Sequence, residues 1–297
     1  MSNLGLIIEE RSRDIGDFLV GRLLPFRKKR MIGPFIFLDH MGPKNFGPGQ
    51  RMDIGPHPNL GLSTLTYLLD GEIVHRDSLG SLQRITPGAV NWMTAGRGIV
   101  HSERSPDDLE TEINRMHGLQ IWVALPVEKE SMSPEFHHIE AERLPEWQEQ
   151  GGRFKLIAGE AKGRRSPVPV HSELFLLELI SGKQTIRLSG SDFSGELGIY
   201  ILAGAVKAGE EKVKAGNLLL AKDEEPCHFE IDPGSHLFLL GGKPFPEKRH
   251  IVWNFVSADR AKIDEALRNW DSRRYPEIPG DDDYVPLPPL LKESLKR

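Results

Sequence analysis

Two short stretches, GPHPNLGLST (residues 55–64) and AGRGIVHSERS (residues 95–105), gather histidine and carboxylate closely enough to do chemistry. In the second, His101 and Glu103 stand two apart in a run of strand composition, so both side chains project from one face. If that face lines a barrel interior, the pair offers one nitrogen and one oxygen donor to a single point, and His57 from a separate strand offers a second nitrogen. Two imidazoles and one carboxylate around open positions suit non-haem iron(II), whose vacant sites accept substrate and dioxygen; manganese, nickel, cobalt and zinc also fit. The same letters have plainer readings. An exposed strand face can carry His and Glu without an ion, and His57, following a proline, also reads as a loop residue.

Neighbouring residues carry weaker signals. His75 shares strand parity with Ile73 and Asp77 and reads as a supporting or surface histidine rather than a ligand. His117 could line a pocket or serve structure alone. Trp92 reads as core, Gly96 and Gly98 as a tight turn, and Arg97 as a pocket rim or a solvated side chain. His228 and Glu230 spell a second, weaker H-x-E, and Cys227 beside them reads as a small buried residue.

The elements that must position these groups are short strands. Residues 63–69 (STLTYLL) are rich in β-branched and aromatic residues and stop at Asp70-Gly71, a hairpin signal. Residues 72–79, 82–86, 89–94, 99–104 and 118–125 continue the pattern, each bounded by turn residues, which is how a β-sandwich or barrel reads. A Glu-rich stretch at 138–153 reads as a short helix or linker, and a second block of strand-length runs follows it. Thr86-Pro87-Gly88 before one strand and Lys214-Ala215-Gly216 before another hint at duplication. At 257–270, Ile263, Ala266, Leu267 and Trp270 fall at helical spacing, with Ser257 as the expected cap. The proline-rich tail from Tyr275 is expected to wrap the surface or fray, with Asp281, Asp282 and Asp283 as a solvated acidic loop.

Composition sets the outer bounds. A chain of 297 residues is long enough for two cores, and 38% hydrophobic with 27% charged residues is ordinary for a globular protein. Net charge is -5 with interspersed signs, which argues against direct nucleic-acid binding. One cysteine rules out an internal disulfide and cysteine-built metal clusters. No charged start with an apolar run opens the chain and no segment approaches ~18 consecutive apolar residues, so the expectation is a cytoplasmic protein with no membrane association.

Longer strings add a family resemblance. FLDHMGP (37–43), PHPNLGLSTLTYLLDGEIVHRDSLGS (56–81), PGAVNWMTAGRGIVHSER (87–104) and MHGLQIWVALP (116–126) resemble the N-terminal cupin of the pirins, and LLGGKPFPEKRHIVWNFV (239–256) resembles their second cupin. The resemblance implies an all-β bicupin, two jelly-roll-like β-barrels face to face with a C-terminal helix. It implies a metal-site cupin at 1–135, a second cupin at 136–256 and a helix with tail at 257–297. Carried over residue by residue, the family's four ligands fall on His57, Asn59, His101 and Glu103, around a divalent metal with iron(II) first in expectation and nickel, cobalt, manganese or zinc as alternatives. Asn59 departs from the family's histidine, and a neutral amide oxygen is a poorer donor to these ions than imidazole, which implies weaker binding. The resemblance further implies a quercetin 2,3-dioxygenase-type oxidoreductase acting on a flavonol or aromatic diol with dioxygen, with Glu103 as catalytic base. The alternative it leaves is a metal- or redox-responsive regulatory bicupin that binds a protein partner without turnover. A monomer is the expectation.

Overall fold

The computed structural model describes residues 4–16, 18–109, 113–222 and 227–295. Strand accounts for 52% of the protein and helix for 11%, so the fold is all-β, with two cupin domains and a C-terminal helix. The chain forms two compact units that are not contiguous in sequence: residues 14–19, 41–138 and 246–297 make one, and residues 1–13, 20–40 and 139–245 make the other.

The unit holding the candidate residues is built on two antiparallel sheets. The smaller runs Asp53–Asn59, Ile99–Arg104, Ile73–Asp77, Leu82–Ile85, so the Glu103 strand lies between the strands of His57 and His75. The larger sheet includes, in order, Glu135–Ile139, Val90–Thr94, Leu62–Asp70 and Asn114–Ala124. Hydrogen bonds from Thr66 Oγ1 (2.9 Å) and Gln120 Nε2 (3.2 Å), both on the larger sheet, to the Glu103 carboxylate of the smaller show that the sheets face each other across a partly polar interior. Trp92 and Met93 point to opposite faces of their strand, yet both are buried. Gly61 joins two strands at φ +71°, and an added Cβ would lie 1.8 Å from the Val256 carbonyl oxygen, so only glycine fits this approach.

The other unit repeats the architecture with a different filling. One sheet runs Leu4–Glu9, Asn217–Ala221, Glu196–Ala203, His236–Gly242, Leu174–Ile180, Gly152–Ala161, Glu146–Glu149, and the other runs Ile186–Ser189, His228–Ile231, Ala205–Ala208, Glu211–Lys214. Phe154, Phe175, Ile199, Phe229 and Leu239 belong to one buried apolar cluster. Burying each such side chain stabilises by about 1.5–3 kcal/mol. Phe229 takes the interior position in the second H-x-E, which leaves His228 exposed on the opposite face. Cys227 is buried as expected.

Three sequence expectations are corrected. Residues 138–153 form neither a regular helix nor a free linker; the stretch holds a 3-10 turn at Ala141–Arg143 and the edge strand Glu146–Glu149, whose Trp147 stacks on Phe154. The helix is Arg260–Asp271 and buries the four residues named for it, but Asp259 caps it, accepting from the Ala261 amide at 2.9 Å. Ser257 instead ends the strand Phe255–Ser257 and donates its hydroxyl to buried Glu130 at 2.6 Å. Finally, Asp281 is not solvated: it is buried against Ser102 and Arg104. No helix among the described residues is long and apolar enough to cross a membrane.

Candidate metal centre

Antiparallel register brings the ionisable groups together. His101 lies opposite His57 on one side and Asp77 on the other, and Glu103 lies opposite His75. Residues paired in this way share a face with Cβ atoms about 4.5–5.5 Å apart, so three strands aim their side chains at one region. The pairing with the His57 strand slips between His101 and Glu103, where Glu103 meets Ile54, a β-bulge with one extra residue on the His57 strand.

The donor atoms of His75, His101 and Glu103 all lie within 4.8 Å of one another, and the three residues are buried. The His57 ring sits beside this group, its centroid 4.3 Å from that of His101. Asn59, 1% exposed, reaches the same imidazole: its Nδ2 lies 2.8 Å from His101 Nε2. Sequence reasoning named His57, Asn59, His101 and Glu103; the donor group that converges is His75, His101 and Glu103, with the His57 ring and the Asn59 amide each beside His101. The surface reading of His75 is corrected by its 2% exposure and by its stacking on Phe136, 4.3 Å between centroids.

Each imidazole is held in a defined way. His57 Nδ1 meets the Gly55 carbonyl at 2.8 Å, which places the ring proton there and leaves the Nε2 lone pair available. His75 Nε2 meets Asp77 Oδ2 at 3.0 Å, which leaves Nδ1 as its donor atom. Asp77 is itself fixed by the amides of Leu79 and Ser81 at 2.9 and 3.0 Å. Two buried polar atoms in the centre, Asn59 Oδ1 and His101 Nδ1, have no hydrogen-bond partner among the described residues. Burial without a partner costs about 1–3 kcal/mol per group, and such orphans concentrate where a ligand or ion is meant to sit. Two imidazole nitrogens and a carboxylate oxygen, with unpaired polar atoms beside them, fit a divalent first-row cation.

Burial keeps the His57 and His101 imidazoles ready as neutral donors. Burial pushes His57 down to about 4, against the opposing pull of its bond to Gly55. Burial, then the neighbouring His57 and His75, hold His101 well below the ordinary histidine range. Burial raises Glu103, outweighing the attraction of His75 and the Thr66 hydrogen bond. The unfolded chain takes up protons at these histidines near pH 6.5, whereas the folded chain refuses them until lower pH. Stability from His57 and His101 is therefore full above about pH 6.5 and is lost as pH falls from there toward 4. His57 alone accounts for at most about 3 kcal/mol. Glu103 acts in the opposite sense, its contribution being full below its unfolded value and lost as pH rises, and offsets part of the loss. Urea denaturation of the metal-free protein between pH 7.5 and 4 should show this decline, and a flat profile would contradict it.

Thr66 and Gln120, which hold the Glu103 carboxylate and each other (2.8 Å), were not singled out from sequence. The available signal was Gln120 in the otherwise apolar run GLQIWVAL; Thr66 does not stand out in STLTYLL, which also carries Ser63 and Thr64. His117 lies three residues before Gln120 on its strand, in register with Asp70.

Comparison with known proteins gives the family. The Pirin family profile matches residues 18–123, and the Pirin C-terminal cupin domain profile matches residues 180–276. A pirin-like protein of Caulobacter vibrioides is 45% identical over 291 residues, covering 96% of this chain and 99% of its own. A crystal structure described as quercetin 2,3-dioxygenase from Acinetobacter baumannii superposes with a TM-score of 0.85 at 36% identity, covering 95% of this chain and 94% of its own. At 20% identity, with 81% of this chain and 99% of its own covered, an Escherichia coli pirin solved in complex with nickel(II) shares the fold, with a TM-score of 0.62. With two matching domain profiles and a near full-length relative, the chain belongs to the pirin family of bicupins.

Proposed function

We propose that this protein is a metal-dependent oxidoreductase of the quercetin 2,3-dioxygenase type, acting on a flavonol or a related aromatic diol with dioxygen. The observation that carries the reading is the convergence of His75, His101 and Glu103 within 4.8 Å, with His57 alongside, on three adjacent strands of one barrel. His101 and Glu103 would hold the ion, with His57 and His75 as the flanking nitrogen donors and the Asn59 amide oxygen as a weak oxygen donor. When bound, the ion lowers the pKa of a substrate hydroxyl and supplies the redox chemistry with dioxygen. The chain's own residues do the rest. Asp77 and the Gly55 carbonyl fix which imidazole nitrogen is presented. Glu103, its proton affinity raised by burial, is suited to take the substrate's hydroxyl proton, while Thr66 and Gln120 hold its two oxygens.

The test is oxygen uptake with quercetin after reconstitution with iron(II), nickel(II) or cobalt(II). Glu103→Ala is expected to remove at least about 100-fold of the turnover, the scale of losing a general base. Turnover that ignores both this substitution and a chelator would rule the mechanism out.

One observation favours a second reading, a regulatory bicupin that binds a protein partner without turnover. The Asn59 amide occupies His101 Nε2 and so supports a stable ion-free centre. Partner capture from lysate that changes with chelator, in the absence of any oxygen uptake, would select it.

A further inference from the structure

The two strands that carry His57, His101 and Glu103 inward also have outer faces, and one segment of the tail covers both. On the Glu103 strand the outward residues are Val100, Ser102 and Arg104. Val100 is buried in a cluster with Trp270, Ile278 and Leu287. Ser102 Oγ donates to Asp281 Oδ2 at 2.7 Å. Arg104 pairs with Asp281 and, at 2.7 Å, with Asp283, while its Nε pairs with Asp53 on the His57 strand. The Val285 amide donates to the Pro56 carbonyl at 3.0 Å, inside the bulge that precedes His57. The tail is in turn anchored to the helix: Trp270 Nε1 donates to the Val285 carbonyl and Tyr284 Oη to the Trp270 carbonyl, both at 3.0 Å, with the two rings stacked 4.6 Å apart.

Every outward residue of the Glu103 strand after Ile99 is thus held by residues 170 to 187 positions later in the chain. A β-bulge leaves its strand locally short of ladder hydrogen bonds and easier to deform, so the register that sets His57 against His101 needs support from outside the barrel. We propose that the segment 281–285 is a brace for the metal centre, with Arg104 and Asp281 as positioning residues that fix the bulged His57 strand against the Glu103 strand. The proposal deepens the metalloenzyme reading and rests on it for its functional consequence. Asp283, 75% exposed, contributes less than Asp281, whose side chain is 4% exposed.

The test uses the full-length protein with Asp281→Ala, the milder Asp281→Asn, and Asp282→Asn as a control on an exposed neighbour. Nickel(II) titration is expected to show affinity weakened by about 10- to 100-fold in Asp281→Ala, the range for groups that orient ligands from behind, with Asp281→Asn between it and the parent. The Asp282 variant should match the parent. Hydrogen exchange of the metal-free proteins is expected to show faster exchange in residues 53–59 and 99–104 of Asp281→Ala, with the other barrel unchanged. Parent-like affinity in the Asp281 variants overturns the brace. If the parent itself binds no nickel(II), the metalloenzyme reading fails instead, and hydrogen exchange decides the brace alone: unchanged protection of those two strands overturns it. Should Asp281→Ala not fold, Asp281→Asn is judged by the same two measurements.

Discussion

His101→Leu is expected to abolish metal binding, lowering nickel(II) affinity at least about 100-fold, beyond the 10- to 100-fold typical of groups that merely orient a ligand. His101 is 1% exposed and is the residue to which all the others relate: Asn59 bonds to it, His57 and His75 flank its ring, and Glu103 follows two positions later on the same face. Leucine has similar volume, so the fold should persist. Two effects on stability are separable. Asn59 loses its bond to the imidazole and becomes wholly unpaired, which costs about 1–3 kcal/mol at neutral pH. A buried base that resists protonation is also removed, so less stability should be lost on acidification. Urea titrations at pH 7.5 and 5 should therefore show a smaller difference in the His101→Leu variant than in the parent. An unchanged difference would mean that His101 takes up its proton normally in the folded state, and retained nickel(II) binding would remove it from the centre.

The second large effect is a gain. Asn59→His is expected to tighten nickel(II) binding at least about tenfold, because imidazole is the better donor to this ion and the side chain at 59 already reaches the coordinating edge of His101. The larger ring enters a fully buried position, and overpacking should destabilise the ion-free protein by about 1–3 kcal/mol. The signature is thus a lower melting temperature without metal and a larger upward shift when nickel(II) is added. Calorimetric titration alongside thermal melts in both states measures both. Equal affinity in the two proteins would show that position 59 does not address the ion.

Much of the architecture was legible because strand parity and turn residues are local signals. Asp70-Gly71 ends the strand Leu62–Asp70 with Gly71 at positive φ, and the apolar spacing of Ile263, Ala266, Leu267 and Trp270 describes the buried face of the helix. The hairpin expected at Asp70-Gly71 does not form: Ile73–Asp77 pairs in the other sheet, and a turn signal does not specify which strand the next one pairs with. His101 and Glu103 were legible through parity, being two apart on one strand. His75 was not, since its nearness to Glu103 depends on pairing with a strand that follows two others in sequence, and register between such strands is not written in either one. Asp281 was misread because acidic runs are ordinarily solvated; only the outward parity of Ser102 and Arg104, seen with the tail in place, makes it structural. Ser257 was misread as a cap because the competing claim on its hydroxyl comes from Glu130, far away in sequence.

The pairing of Leu4–Glu9 with Asn217–Ala221 bears on synthesis at the ribosome. Ile7 cannot meet Leu219 until more than two-thirds of the chain has been made, which at typical elongation rates is a delay of about 10–40 s. Throughout that interval the nascent segment carries unmet backbone donors and acceptors, so its charged Arg11 and Arg13, with Glu9 and Glu10, are well placed to discourage premature association with other emerging chains.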